Sequence, residues 1–369
     1  MRVRGVSGGN VRRLLGLVFV ATVGAGFLQV GQAGAVTPAA VAPRWGYVND
    51  NQVEHPHFTS TDGLGLDSAG KKITGTRLGV GRYQVLFHGL LAGGVNGGTV
   101  DVTPDDTFGY CKIASWGPSG TSLSVKIDCY SVGGSPEDTN FFVSFADPGS
   151  SPPANLSYVW GNKPAQASYT PDHRYQFNSG GGTDTITQIG TGDYHVIVPG
   201  VGLDAGTVKV TAYGPGSAAT CQAGSLWGGH PTLNVYVSCY DTSGNPVNAK
   251  FTMTWVNHSS LLGVKGRTWG YVWGDDPTSS SYTPTLTYQG NSSGGTDTIT
   301  RSGTGSYEVD MPGIGGDGGN VQISAFGEPQ DHCSDGGYFG SGSTEVIDVI
   351  CFDTSGNPAD SEFTVQYVR

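Results

Sequence analysis

The chain has 369 residues, 61 of them glycine, and only 13% are charged. Glycine at about 17%, against a usual share of roughly 7% and with no Gly-X-Y period, excludes collagen. Beside β-branched and aromatic residues it predicts many short strands joined by tight turns, and the net charge of −11 argues against nucleic acid or an anionic membrane as partner.

The first element reads as an address. Arg2, Arg4, Arg12 and Arg13 precede a mostly apolar, uncharged stretch over 14–30, and Ala33-Gly34-Ala35 is a small-x-small cleavage motif. The pattern predicts a secretory signal peptide over residues 1–35. The Arg12-Arg13 pair leaves both the general and the twin-arginine export routes open. Loss of the four arginines takes the net charge from −11 to −15. No later apolar run is long enough to span a bilayer, so the expected product is secreted and free of the membrane.

Three copies of one unit follow, over 44–147, 155–257 and 268–369. Tyr47-Val48, Tyr158-Val159 and Tyr271-Val272 open them, and Tyr83, Tyr194 and Tyr307 each follow a glycine two positions earlier. Phe141-Phe142-Val143, Phe251-Thr252-Met253 and Phe363-Thr364-Val365 close them. Units two and three also share Gly-Gly-Thr-Asp-Thr-Ile-Thr and Asp-Thr-Ser-Gly-Asn-Pro, while unit one diverges. A repeat of about 100 residues is too long for a propeller blade or solenoid turn. It suits an immunoglobulin-like or related β-sandwich, so the expected fold is all-β: three tandem sandwiches. The proline-rich linker over 147–153 reads as a semi-rigid spacer. The second linker, over 257–268, has no proline and permits closer packing.

Alternation with period two marks the strands inside a unit. In unit two, Tyr194, Val196 and Val198 share one face, and Val208, Val210 and Ala212 alternate with Lys209 and Thr211. Leu233, Val235, Val237 and Cys239 alternate in the same way, and about seven such strands fit each unit. Asp-Thr-Ser-Gly-Asn-Pro predicts a turn closed by the Asp side chain, with glycine supplying the positive φ.

Each unit carries two cysteines 18 residues apart. The threefold repeat selects the pairs Cys111–Cys129, Cys221–Cys239 and Cys333–Cys351, one internal disulfide per unit. The second cysteine of each pair falls on a strand. The first is expected in the loop after the Val-x-Val-x-Ala strand.

A catalytic constellation is not visible. None of the eight histidines recurs at an equivalent place in two units, and no hydrolase elbow, metalloprotease helix or phosphate loop occurs. His55-Pro56-His57 beside Glu54 reads as a solvated loop. No metal and no cofactor is expected. The shared acids Asp184/Asp297 and Asp241/Asp353 read as turn residues, with weak calcium binding or a glycosidase pair as the functional alternatives. The shared aromatics Trp116, Trp227 and Phe339 lie five or six residues after the first cysteine, each before a glycine. They are the candidate ligand-binding residues, against packing on the disulfide. Trp160 and Trp273 match each other near the unit start, where unit one has Asn49.

The series Gly-x-Gly-x-Tyr-x-Val-x-x-Pro-Gly (190–200 and 303–313), then Cys, then Cys-aromatic-Asp-x-x-Gly-x-Pro and Phe-Thr, resembles tandem β-repeats of uncharacterised secreted bacterial proteins. In unit one, His88 stands where the proline should be and Ser131 replaces the Asp. The resemblance implies a secreted β module and brings no catalytic residues with it. The expected function is therefore extracellular, non-catalytic binding or adhesion, with a carbohydrate or a protein as ligand. An inhibitor of extracellular hydrolases, a hydrolase with its site between repeats and a purely structural envelope role are the alternatives.

Overall fold

Among the described residues the chain forms 27 strands, the longer ones at the alternating stretches. The structure, a computed structural model, describes residues 41–50, 52, 55–60, 63–92, 96–150, 155–327 and 330–369. The expected leader over 1–35 lies outside the described residues, as do Glu54 and part of the first linker.

Unit one holds β1 (Arg44–Asp50), β2 (His57–Thr59), β3 (Gly65–Asp67), β4 (Ile73–Gly79), β5 (Arg82–Phe87), β6 (Thr99–Asp105), β7 (Tyr110–Ser119), β8 (Ser122–Tyr130) and β9 (Asn140–Asp147). Unit two holds β10 (Leu156–Gly161), β11 (Ser168–Tyr169), β12 (Gln176–Asn178), β13 (Thr185–Gly190), β14 (Asp193–Pro199), β15 (Thr207–Tyr213), β16 (Thr220–Ala223), β17 (Thr232–Tyr240) and β18 (Lys250–Val256). Unit three holds β19 (Trp269–Gly274), β20 (Ser281–Tyr282), β21 (Gln289–Asn291), β22 (Thr298–Gly303), β23 (Ser306–Pro312), β24 (Asn320–Phe326), β25 (Asp331–Ser341), β26 (Thr344–Asp353) and β27 (Glu362–Val368). Each unit has nine strands rather than about seven, because strands of two or three residues lie outside the recognisable alternation.

Each unit is a β-sandwich. In unit one, the layers β6-β9-β1-β3 and β7-β8-β5-β4-β2 close over Val48, Val85, Phe87, Val102, Ile113, Val125 and Phe145. The layers do not stop at the unit boundary. β7 pairs with β15, β16 with β24, and β25 with β6, each pair parallel. Three nine-stranded sheets result, and each is shared by two units. The sandwiches are therefore not independent beads; they close a ring. The physical reason is the edge of the sheet. β6 and β7 of a lone unit would expose unpaired backbone, and ring closure covers all of these edges at once. The outer edges that remain are β2, β3, β11, β12, β20 and β21, all of two or three residues.

Three hydrogen bonds express the pseudo-threefold relation. Val102 N donates to Thr211 Oγ1 (3.4 Å), Val210 N to Ser324 Oγ (3.2 Å), and Ile323 N to Thr103 Oγ1 (2.9 Å). β6, β15 and β24 thus surround an axis and are buried on both faces. Lys209 and Thr211, read from the alternation as the outward face, point at neighbouring units and are buried. Asp101, Lys209 and Gln322 hold the same position in the three units: an acid, a base and an amide. Lys209 Nζ donates to Thr103 Oγ1 (2.9 Å) and to the Ile323 carbonyl. Thr254 donates to Asp101 Oδ2 (3.0 Å).

The three expected disulfides are present. Their first cysteines lie on β7, β16 and β25, not in a loop, directly opposite their partners. Such bonds fit an oxidising compartment. The turn chemistry is as expected: Asp241 Oδ1 accepts from Ser243 N (2.9 Å) and Asn245 N (3.0 Å), and Asp353 repeats this on Ser355 and Asn357. Gly244 and Gly356 take φ of 79° and 81°, a conformation open to glycine at no steric cost. The second linker does pack closely: Leu261 and Leu262 are buried with Trp45, Tyr47 and Val368. Among the described residues no helix is long and apolar enough to cross a membrane.

Candidate functional site

The ring has three seams, and two are sealed by aromatic side chains. At the first seam Trp116 of β7 meets Trp160, Tyr175 and Tyr213 of unit two, with ring centroids 4.9 to 5.5 Å apart. At the second, Trp227 meets Trp273, Tyr288 and Phe326 of unit three at 5.0 to 5.4 Å. Most of these contacts are edge-to-face, the arrangement that the ring quadrupoles favour. Both indoles at the centre also donate inward, Trp116 to the Gly97 carbonyl (3.3 Å) and Trp227 to Ala205 (3.2 Å). Trp116 and Trp227 are 8% and 2% exposed, so their rings are spent on joining units.

The third seam, between units three and one, is built from the same positions with other residues. Tyr338 lies opposite Ile347 on β26, as Trp116 lies opposite Val125 on β8; both partners stand four residues before the second cysteine. Tyr338, not Phe339, is therefore the counterpart of Trp116. Phe339 points the other way and is 52% exposed. Asn49 replaces Trp160 and Trp273. Leu64 replaces Tyr175, because Leu64 O accepts from Asn49 N as Tyr175 O does from Trp160 N. Asp105 replaces Tyr213 and Phe326 at the parallel pairing, opposite Asp335. Asp106 follows at φ 53°, where the other seams have Gly214 and Gly327.

Smaller side chains leave space. A recess of about 430 Å³ opens at this seam, lined by Asn49, Leu64, Asp105, Asp317, Tyr338, Phe339 and glycines. Asn49 is 6% exposed; its Nδ2 donates to Tyr338 Oη (3.3 Å), and its Oδ1 has no donor. Behind the recess Asp335 is fully buried, and its Oδ2 accepts from Gly337 N (3.0 Å). Asp105 and Asp335 lie opposite each other in the parallel pairing of β6 and β25, and the Asp105 charge acts on the Asp335 carboxyl. Burial pushes the Asp105 carboxyl up to about 6, and burial with the Asp105 charge pushes Asp335 well above the usual range.

A larger groove of about 1070 Å³ runs between the β4–β5 turn and unit two, past Leu78, Val80, Tyr83, Tyr130 and Pro215. None of its lining residues leaves a buried polar side-chain atom without a partner, which sets it apart from the recess.

The shared acids divide. Asp241 and Asp353 are turn residues, as expected. Asp184 and Asp297 are not turn residues but buried carboxyls, each held by one amide at 2.8 Å, from Asn178 and Asn291, with Oδ2 unpartnered. Burial raises both to about 7. They lie in separate units and face no second carboxylate. Among the described residues no group of three His, Cys, Asp or Glu is arranged to hold a metal.

This set of carboxyls predicts the pH dependence of stability. Asp50, Asp184, Asp297 and Glu345 are raised by burial to about 7. Their unfolded values lie near 4, so between about pH 4 and 7 the folded state holds more protons and stability falls as pH rises. His332, lowered by burial to about 4, acts in the opposite sense but is a single group. Thermal or urea denaturation is expected to show a maximum at about pH 4 or below and a loss of about 3 kcal/mol or more by pH 7.5. A flat profile across that window would contradict the burial of these carboxyls.

Comparison with protein-family models, with curated proteins and with solved structures returns no match.

Proposed function

We propose that the chain is a secreted, non-catalytic binding protein whose three repeats form one rigid body, with the ligand, a carbohydrate or a protein segment, held in the recess at the third seam. One observation carries this reading. Of three seams built on one plan, two are sealed by four aromatic rings, and the third is furnished with Asn49, Asp105 and Tyr338 beside an exposed Phe339. A recess that closes by the same packing elsewhere in the ring, and here offers an aromatic face and a buried acceptor without a donor, has the makeup of a binding site. The leader pattern and the three disulfides support the extracellular setting.

The reading as a hydrolase with its site between repeats finds one supporting observation, the Asp105–Asp335 pair. Glycosidase carboxyls stand about 5 Å or more apart, with sugar or water between them. Asp335 is fully buried behind the recess and does not line it, so no sugar fits between the two carboxyls and binding is the better reading.

The test fills the recess. Asn49→Trp rebuilds the ring seen at the other seams. A glycan array and capture of labelled extracellular proteins are to be run with wild type, Asn49→Trp and Phe339→Ala. Both variants are expected to lose binding by about tenfold or more, at unchanged melting temperature. Binding that survives in both would place the ligand elsewhere and sink the proposal.

A further inference from the structure

We propose that the recess at the third seam takes the ammonium group of a small organic amine, held between the Asp105 carboxylate and Asn49 Oδ1 with its carbon skeleton against Phe339. The inference rests on the reading of this recess as the binding site and adds the class of ligand.

The first argument counts donors. Asn49 Oδ1 and Asp335 Oδ1 are buried and have no donor. A buried acceptor left unpaired has lost its water and gained nothing in return. A ligand that brings only acceptors leaves that cost standing; a ligand that brings N–H groups removes it. An ammonium group has three donors and no acceptor.

The second argument is charge. The ionisable groups packed about the site are Asp50 from β1, Asp105 and Asp106 at the end of β6, Asp335 and Tyr338 from β25, Glu345 and Asp348 from β26, and Asp317 in the preceding loop. A cation, Arg369, stands beside them: its guanidinium lies against Gly316, donates to the Ile314 and Gly315 carbonyls and acts on Glu345; the other charged groups named are acids and outnumber it. Asp335 is fully buried opposite Asp105, so ionising both carboxyls would set two negative charges side by side, and the pair keeps one proton. A bound ammonium group supplies the missing positive charge, so the pair releases that proton on binding. The third argument is the ring. Phe339 stands at the rim with half of its surface open, and an aromatic face attracts an organic cation beyond its area of contact.

Titration calorimetry on the full chain tests this with glucosamine and 1,5-diaminopentane as amines, and glucose and N-acetylglucosamine as uncharged counterparts. The amines are expected to bind at least about tenfold more tightly than the uncharged sugars. At pH 7, heats measured in buffers of different ionisation enthalpy are expected to show release of about one proton per amine bound. Asp105→Asn is expected to weaken amine binding by about tenfold or more and to abolish the proton release. Asn49→Trp, which fills the recess and leaves both carboxyls in the chain, is expected to block the amines by sterics.

Failure of both amines to bind at millimolar concentration overturns the proposal. So do equal binding of glucose and glucosamine, amine binding without proton release, and calcium binding that excludes the amines. If an uncharged glycan binds in the recess and is lost in Asn49→Trp, the ammonium assignment fails while the reading of the recess as a binding site stands.

Discussion

Replacing Trp227 by alanine is expected to destabilise the protein by about 3–5 kcal/mol, whereas Phe339→Ala stays within about 0.5 kcal/mol of wild type. The two residues look equivalent in the sequence, each an aromatic before a glycine after the first cysteine of its unit. Their surroundings differ. Trp227 touches Trp273, Tyr288 and Phe326 across the seam, and its Nε1 donates to Ala205. Truncation opens a cavity that the three remaining rigid rings and two sheets cannot collapse into, and so adds a cavity cost to the lost transfer energy. Phe339 is half in solvent and leaves no cavity. Urea denaturation followed by far-ultraviolet circular dichroism measures both. A Trp227→Ala protein as stable as wild type would mean that the ring clusters do not hold the seams together.

The second large effect concerns the axis. Lys209→Met is expected to cost about 3–5 kcal/mol, because it leaves Asp101 as a buried carboxyl with no compensating charge. Lys209 is lowered by burial to about 7 and Asp101 is raised by burial to about 6, each partly offset by the attraction of the other. Removing both charges with Lys209→Met and Asp101→Asn is expected to recover most of the loss. A double-mutant cycle on urea midpoints gives the coupling directly. If the double variant loses the sum of the two single losses, the charges do not act on each other across the axis. The acid, base and amide at one repeated position also give the three units different identities. Three copies of unit two would bring three buried lysines together, so the neighbours of each unit are specified by charge.

Much of the local structure was legible because its causes are local. Alternation placed Val196, Val235 and Met253 inward, and the Asp241 and Asp353 turns follow from a side chain reaching its own backbone two and four residues on. The Cys221–Cys239 pairing and its two counterparts follow from the repeat. Even the break in symmetry was visible, as Asn49 in the place of Trp160 and Trp273. Its meaning was not. The substitution of Asp105-Asp106 for Tyr213-Gly214 and Phe326-Gly327 was equally open to reading and completes the signal. In the sequence Phe339 looks equivalent to Trp116 and Trp227 because a glycine follows each of them. A bulge between Asp335 and Gly337, matching one between Ile113 and Ser115, sets the register by which Tyr338 faces the seam.

From its glycine-rich, charge-poor and acidic composition onward, the sequence by itself determined an all-β chain of three disulfide-bonded sandwiches, because strand period, turn closure and cysteine spacing are properties of neighbours along the chain. The tertiary structure decided that the sandwiches share their sheets and close a ring. A period of two reports that a strand has two unlike faces; it does not report whether the second face meets water or another unit. Lys209 and Thr211 look like surface residues on that pattern, and the partner units bury them. The same ring closure turned Trp116 and Trp227 into packing and left Asn49, Asp105 and Tyr338 around the one seam with an open recess among those the aromatic positions define.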